Sequence, residues 1–404
     1  MSQGDDAMGA VALYDFSPVL QVMGIGLAVA LGPLVWVVLR SRGASAAQRL
    51  QALTVLTLFL TFDLILFGAF TRLTDSGLGC PDWPGCYGQA SPVGAREAIA
   101  AAQDAMPTGP VTHGKAWIEM VHRYLATGVG VLIIALVAGS WWQWRQRHSD
   151  SPMAQLTQAV HPGWSGATLL WVCVQGLFGA KTVTMKLFPA IVTLHLLGGI
   201  GLLALLAVQA ELYRQAAGRA VEQVSRGLRV LTWLAAVLVL VQVSLGGWVS
   251  ANYAVLACDT FPLCQGSWWP PMDFAQGFEL WRPLGQSADG TLLAFAALTA
   301  IHYAHRLMAF VVLAALGVLV WGCYHAGCLT PQRRALVVLL VVQLVTGLSN
   351  VVLGWPLLAA VLHTGGAALL VAVLASMLSA SHAGKTQPMD APQRTPLTRP
   401  ERAA

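Results

Sequence analysis

Nine long apolar segments run through the chain, and each is long enough to cross a bilayer, which takes about 20 mostly apolar residues in a helix. Only 10% of the 404 residues are charged, well below the roughly 25% of a soluble domain. We predict an all-α polytopic membrane protein with no nucleic-acid partner, because no basic patch interleaves with aromatic residues. The predicted spans are 19–40, 51–71, 117–141, 164–183, 188–210, 228–250, 292–322, 334–353 and 356–379.

The basic residues alternate between the two sides of the membrane. By the positive-inside rule the arginine-rich loops are cytoplasmic. The long loops 72–116 and 251–291 carry few basic residues and are then periplasmic, as is the N-terminus. We expect residues 381–404 to form a disordered cytoplasmic tail. The cytoplasmic loops contain Arg40, Arg42, Arg49, Arg145, Arg147, Arg214, Arg219, Arg226, Arg229, Arg333 and Arg334.

An internal repeat relates spans two to five to spans six to nine. Cys80 precedes Cys258 by 178 residues, and Cys86 precedes Cys264 by the same number. Each half has an even number of spans, so both halves face the same way. The pattern predicts two tandem, pseudo-symmetric four-helix bundles, with the first span as an addition. The predicted divisions are 1–50 for the N-terminal segment with its extra helix, 51–227 for the first bundle, 228–380 for the second, and 381–404 for the tail.

Four histidines occupy apolar segments in a repeated pattern: His122 and His195 in the first half, His305 and His363 in the second. All four are expected near the periplasmic ends of their helices. Imidazole is costly in lipid, so an intramembrane histidine is a functional candidate. Two facing histidines on neighbouring helices can hold a heme iron. The duplicated pair predicts two such sites.

Two cysteine pairs share one spacing in the periplasmic loops. Cys80 and Cys86 flank one short loop, and Cys258 and Cys264 flank its repeat. The periplasm is oxidising, which favours a disulfide in each loop. The spacing leaves open whether these disulfides are structural staples or redox-active groups.

Charged residues accompany the histidines. Glu119 precedes His122 by three residues, so both lie on one helix face, where a carboxylate could move protons or simply sit at a favourable helix entry. Arg72, Arg123 and Arg306 lie at the same interface. They are candidates for binding heme propionates through paired hydrogen bonds, with interfacial snorkelling or pairing with nearby acids as the alternative.

Further polar residues lie in the spans near the histidines or within the bilayer. His302 occupies the repeat position of Glu119 and is either another ligand or a replacement in a bundle without chemistry. Asp63 lies mid-span and must be paired, protonated or turned inward. Three spans share Gln-x-x-x-Gly, and Gly68 matches its glycine in the fourth equivalent helix. Such a glycine admits close approach of a neighbouring helix or a flat ligand. The motif occurs at Gln175/Gly179, Gln242/Gly246 and Gln343/Gly347.

The stretch 67–86 resembles the heme A synthases, with Gly68-x-x-Thr-Arg-Leu-Thr-x-Ser-Gly-Leu followed by the first cysteine pair. The motif Glu119-x-x-His122 matches as well, and the resemblance extends over residues 51–379. It implies oxidation of a ring methyl group of heme O to a formyl group, giving heme A for cytochrome oxidase. It also implies that His122 and His195 flank the substrate, that Glu119 takes part in the reaction, and that His305 and His363 ligate one bound heme b.

The resemblance also implies a setting for the protein. It points to the bacterial inner membrane, to a heme O synthase as donor of the substrate, and to an electron-transfer partner. The family has eight spans, so the first span here is extra. Homo-oligomerisation is compatible with the sequence but is not specified by it.

Three other functions fit parts of the pattern. A di-heme b-type electron-transfer protein needs the four histidines but neither Glu119 nor the cysteine loops. A periplasm-facing thiol–disulfide oxidoreductase needs the cysteines but not the histidines. A transporter predicts broken helices at the midplane, which the sequence does not show.

Overall fold

The computed structural model describes residues 17–146 and 161–383. Within these ranges nine helices are long and apolar enough to cross a membrane, which confirms the polytopic all-α prediction. Each predicted span falls on one of them, and the helices extend beyond several predicted ends. In chain order they are α1 (Ser17–Arg40), α2 (Ala46–Leu73), α4 (His113–Gln146), α5 (Gly163–Thr184), α6 (Pro189–Ala216), α7 (Arg226–Ala251), α9 (Phe295–His325), α10 (Thr330–Val352) and α11 (Leu357–Ala380).

The spans pack as two sets of four. In the first set α2 contacts α4 and α6, and α5 contacts the same two helices. In the second set α7 contacts α9 and α11, and α10 contacts the same two. Helices α2, α6, α7 and α11 also pack across the boundary between the sets, where Ile65, Ile200, Val239 and Leu374 share one apolar core.

The first span lies against the outside of the first set. Helix α1 contacts α4 along its length and α2 more weakly. Gly26 permits the approach, because a methyl group built there would lie 2.4 Å from Thr127 Cγ2. The opposite face of α1 exposes Leu20, Leu27 and Trp36, as expected of a helix that faces lipid.

Two loop regions cover one end of the helices, which we call the disulfide side. The first contains the short helix α3 (Arg96–Ala105), and the second contains a 3-10 turn (Ala254–Leu256) and the short helix α8 (Phe274–Gly277). Both predicted disulfides are formed, Cys80–Cys86 and Cys258–Cys264. The same backbone bridge follows each one, pairing Cys86 with Gln89 and Cys264 with Ser267.

The opposite end, which we call the linker side, carries a small parallel sheet. Strand β1 (Glu222–Val224) joins the two sets of helices and pairs with β2 (Ser381–Ala383). Arg229 donates to the carbonyl groups of Leu378 and Ser381. The predicted disordered tail is therefore wrong for residues 381–383, whose backbone is held by β1. Residues 384–404 of that tail and residues 1–16 of the N-terminal segment lie outside the described residues.

Candidate functional site

The four histidines lie on the disulfide side, one on each of α4, α6, α9 and α11. His122 is the tenth residue of α4 and His305 the eleventh of α9, while His195 and His363 are each the seventh of their helices. The second half thus repeats the first to within one residue. Since α6 and α11 are the central helices, each pair joins a central helix to a peripheral one.

His305 and His363 lie close to each other between α9 and α11. Their ring centroids are 6.5 Å apart and the rings are nearly perpendicular, at 82°. Two metal–nitrogen bonds of about 2 Å each, together with the two ring radii, come to about 6 Å. At this separation the two imidazoles could hold one iron between them, as in bis-histidine heme sites.

Each histidine rests against a glycine of the neighbouring helix. A methyl group built on Gly246 would lie 3.0 Å from His305 Cε1, and one on Gly347 would lie 3.1 Å from His363 Cε1. The first half repeats this: Gly68 lies against His122 and Gly179 against His195, at 3.0 and 3.3 Å. Three of these four glycines belong to the Gln-x-x-x-Gly motif. Each of the four leaves space for the imidazole ring on the neighbouring helix.

The glutamines of the motif contact the histidine-bearing segments. Gln242 Nε2 lies 3.1 Å from His305 Nδ1, and Gln343 Nε2 donates to the His363 carbonyl at 2.9 Å. Thr346 Oγ1 lies 3.0 Å from His363 Nδ1. The Thr346 hydroxyl can accept a hydrogen bond from His363 Nδ1–H, which fixes that ring and leaves its Nε2 for a metal. The Gln242 amide nitrogen can only donate, and it lies 3.4 Å from His305 Nε2 as well. Thr346 was not predicted; its place one turn after Gln343 is the only local signal.

The surroundings of the first pair differ from those of the second. His122 stacks on Phe67, with ring centroids 6.4 Å apart, and among the described residues it makes no ring contact with His195. The Nδ1 atom of His195 is buried without a hydrogen-bond partner in the described part of the chain. A buried, unpartnered imidazole nitrogen is an atom that a ligand would satisfy.

Glu119 lies at the junction of α4 and the first cysteine loop. It is buried, accepts a hydrogen bond from the Cys80 backbone N–H at 2.8 Å, and forms a buried ion pair with Arg123. Arg123 Nη1 in turn lies 2.5 Å from the Gly85 carbonyl and 3.0 Å from that of Asp82. The carboxylate and the guanidinium together hold the loop against the helix that bears His122.

Arg306 repeats this arrangement in the second half. Its Nη1 donates to the carbonyls of Thr260 and Leu263, at 2.7 and 3.1 Å, and these residues are the repeat equivalents of Asp82 and Gly85. His302 replaces Glu119, with its Nε2 3.3 Å from Arg306 Nε. His302 therefore contacts the loop arginine from the position that Glu119 has in the first half.

The predicted role of the three arginines in binding propionates stays a prediction, and the structure shows which protein groups they contact. Arg123 and Arg306 direct their guanidinium groups at carbonyls of the cysteine loops, which attract the cation in the same way as a carboxylate. Arg72 donates to the Ser250 carbonyl at 2.7 Å and lies 3.9 Å from the centre of the Tyr253 ring. It thereby joins α2 to α7.

The remaining acidic candidate is isolated. Asp63 is half-buried in α2 and belongs to none of the ion pairs recorded for residues 17–146 and 161–383. It lies about eight residues from the end of α2 that carries Thr71, so the structure gives it no contact with the histidine sites.

The chain is similar to known proteins over most of its length. The family model for cytochrome oxidase assembly protein, COX15-CtaA, matches residues 51–375. A heme A synthase of Shewanella oneidensis is 37% identical over 82% of this chain and 96% of its own length. Heme A synthases of Alkalihalophilus pseudofirmus and Rhizorhabdus wittichii are 28% and 25% identical, over 82% and 83% of this chain and 96% and 95% of their own lengths.

The matched region begins in α2 and ends in α11, so it contains both histidine pairs and both cysteine loops and omits α1. With its repeated bundles and its paired histidines, the chain belongs to the COX15-CtaA family of cytochrome oxidase assembly proteins.

Proposed function

We propose that this protein is a heme A synthase, a membrane oxidoreductase that converts the ring methyl group of heme O to the formyl group of heme A. The observation that carries the proposal is the duplicated histidine pair, with each imidazole seated on a glycine at the same side of the membrane. One site suits a resident heme and the other a heme that is changed and released. The product serves cytochrome oxidase.

The second pair fits a bound heme b. His305 and His363 lie at a separation at which both imidazoles could hold one heme iron, Thr346 would orient the His363 ring, and Gln242 lies against the His305 ring. A heme held there would supply one-electron transfer to the reaction. The chain's own part is to keep the two imidazole nitrogens pointed at one point and to exclude water with the loop that Arg306 holds.

The first pair fits the substrate. The Nδ1 atom of His195 is buried without a hydrogen-bond partner among the described residues, so a ligand could occupy it. Glu119 is the residue that this half has and the other lacks, because His302 stands in its place. We assign Glu119 to the substrate site, where it fixes the cysteine loop over His122 and supplies a buried negative charge beside the reacting heme.

The arginines of the loops define the orientation of the protein. Arg40, Arg42, Arg49 and Arg229 are on the linker side, which we therefore place in the cytoplasm of a bacterial inner membrane. The histidines and both disulfides then face the periplasm. The expected partners are a heme O synthase, which hands over the substrate, and an electron-transfer protein. Homo-oligomerisation is compatible with this orientation.

The alternative functions gain no support. All four disulfide cysteines are at most 1% exposed, and thiol–disulfide exchange requires that an attacking thiolate reach a sulfur atom. A di-heme electron-transfer protein would have no use for the difference between Glu119 and His302 in otherwise matching bundles.

Heme extraction and chromatography test the proposal, with the protein co-expressed with a source of heme O. Wild type should yield heme b and heme A. Glu119→Ala should accumulate heme O or a hydroxylated intermediate while keeping heme b, and His305→Ala should lose heme b. His325→Ala is the matched control, because this exposed residue ends the helix that carries His305. Heme b alone in every variant, with heme O never bound, would refute the proposal.

A further inference from the structure

The extra helix α1 creates a groove on the linker side that the paired bundles alone would not have. The cavity has a volume of about 370 Å³ and lies between α1, α2 and α4. Its walls are apolar and come from all three helices: Leu34 from α1, Leu50 and Leu53 from α2, and Ala135 from α4. Such a wall matches a hydrocarbon chain and offers nothing to a polar solute.

The mouth of the groove is basic. Arg42 and Arg49 line it, both are exposed, and Arg40 ends the adjoining helix. Residues 16–62 contain no Asp or Glu. None of the ion pairs recorded in the described part of the chain includes these arginines.

Local contacts leave the charges available. Arg49 donates from Nε to the Ala44 carbonyl at 3.0 Å, which fixes the direction of its side chain. Within the described residues no hydrogen bond is recorded for its terminal guanidinium nitrogens or for the Arg42 side chain. Two guanidinium groups at the membrane surface with no ion-pair partner among residues 17–146 and 161–383 attract an anion, and a phosphate group suits their planar donors.

We propose that this groove binds one anionic phospholipid, with an acyl chain between α1, α2 and α4 and the phosphodiester group at Arg42 and Arg49. Basic pockets between membrane helices bind anionic head groups in this way. The bound lipid fills the gap between α1 and the first bundle and so fastens the extra helix. The proposal is independent of the heme chemistry, because the groove lies at the opposite end of the helices from the histidines.

The test is lipid binding to the full-length protein, freed of lipid in detergent and studied by native mass spectrometry. Dioleoylphosphatidylglycerol should bind with one tight site, and dioleoylphosphatidylcholine should bind more weakly. At about fivefold in affinity for each arginine near the surface, the difference should be about 25-fold. Equal binding of the two lipids would overturn the proposal.

Variants locate the site. Arg42→Gln and Arg49→Gln should each weaken phosphatidylglycerol binding about fivefold, and the double variant should bind both lipids equally. Arg334→Gln removes the same charge from an exposed position on the same side, away from the groove, and should change nothing. Retention of the preference by the double variant, or its loss in Arg334→Gln, would contradict the proposed site.

Two further measurements separate a lipid from a simple anion. Ala135→Phe narrows the groove without changing its charge and should weaken the binding of both lipids. Inorganic phosphate, added in excess, should not displace phosphatidylglycerol, because it lacks the acyl chain. Unchanged lipid binding in Ala135→Phe, or displacement by phosphate, would show that the arginines act as an anion site and not as part of a lipid groove. Thermal unfolding of each variant confirms that it is folded.

Discussion

Single residues decide how the histidines are held. A glycine opposite each imidazole is required by size, because a methyl group at that point would lie at 3.0–3.3 Å from a ring atom. Contacts this close force either the ring or the helix to move. Since a ligand nitrogen must point at its metal within narrow limits, small displacements of the ring are expected to affect the heme more than the fold.

A glycine substitution tests this at the heme b site. Gly246→Ala should lower the amount of heme b per protein and alter its absorbance spectrum, because the new methyl group displaces His305. The fold should survive, since alanine favours a helix over glycine by up to about 1 kcal/mol. Gly317→Ala is the control, because Gly317 faces open space in the same helix as His305. Full heme b content in Gly246→Ala would contradict the assigned role of the glycine.

The ion pair of Glu119 and Arg123 is buried on both sides, with side chains 6% and 9% exposed. Glu119→Gln leaves a buried, unpaired guanidinium group and should destabilise the protein by about 3–5 kcal/mol. Arg123→Met should lower the free energy of unfolding by a similar amount. The double variant should cost less than the two together, because it leaves no unpaired charge.

The free energy of unfolding in denaturant measures these costs, and extracted hemes measure the chemistry in the same samples. Glu119→Gln should accumulate unconverted substrate even under conditions in which it is folded. A double variant whose cost equals the sum of the single ones would show that the two residues do not interact.

At the scale of elements, each ligand-bearing helix carries its own loop. Arg123 on α4 and Arg306 on α9 bind equivalent carbonyls of the two cysteine loops. A disulfide closes each loop and so reduces the number of conformations that the loop can adopt when the arginine binds its carbonyls. The loop and the helix thus form one rigid unit over the histidines, which explains why the loop and the arginine recur together in both halves.

Replacing both cysteines of one loop should weaken this unit without abolishing it. Cys80→Ser with Cys86→Ser should lower the free energy of unfolding by about 2 kcal/mol, the entropy of closing so short a ring. The turnover of heme O should fall but not vanish, because the disulfide is buried and takes no part in exchange. Replacing Cys258 and Cys264 with serine should lower the heme b content more than the change at Cys80 and Cys86 does. Complete loss of turnover with both hemes still bound would instead indicate a redox role.

At the scale of the whole molecule, the two halves meet where equivalent positions touch. Arg72 contacts Ser250, and Asp75 accepts a hydrogen bond from the Tyr253 hydroxyl at 2.7 Å. Each contact joins residues 178 apart, the same offset that relates Cys80 to Cys258. Equivalent positions can touch each other only near the axis that relates the halves. This group of residues therefore marks the pseudo-symmetry axis on the disulfide side.

Arg72→Gln should loosen this junction while leaving both hemes bound. The change removes a charged hydrogen bond and the contact with the Tyr253 ring, together worth about 2 kcal/mol. Thermal unfolding should occur at a lower temperature, and extracted heme should be unchanged. Tyr253→Phe is the milder companion variant, since it keeps the ring and loses the hydroxyl. Loss of heme in Arg72→Gln at an unchanged unfolding temperature would instead indicate that Arg72 binds a heme propionate.

Features with a local origin were predictable from the sequence. The nine spans follow from apolar length, the four histidines from the cost of imidazole in lipid, and the cysteine loops from their repeated spacing. Residues 381–383 were not predictable as a strand, because pairing with β1 depends on a segment about 160 residues earlier in the chain.

The tertiary structure alone decided which groups the polar side chains near the histidines contact. The sequence by itself determined that this is a duplicated membrane bundle with paired histidines, since apolar length and residue spacing are properties of the chain. It could not assign Arg123 and Arg306, because a guanidinium group binds a propionate and a loop carbonyl through the same donors. Only the folded position of the loop carbonyls brings them within reach of these arginines, and that position depends on packing between segments far apart in the chain.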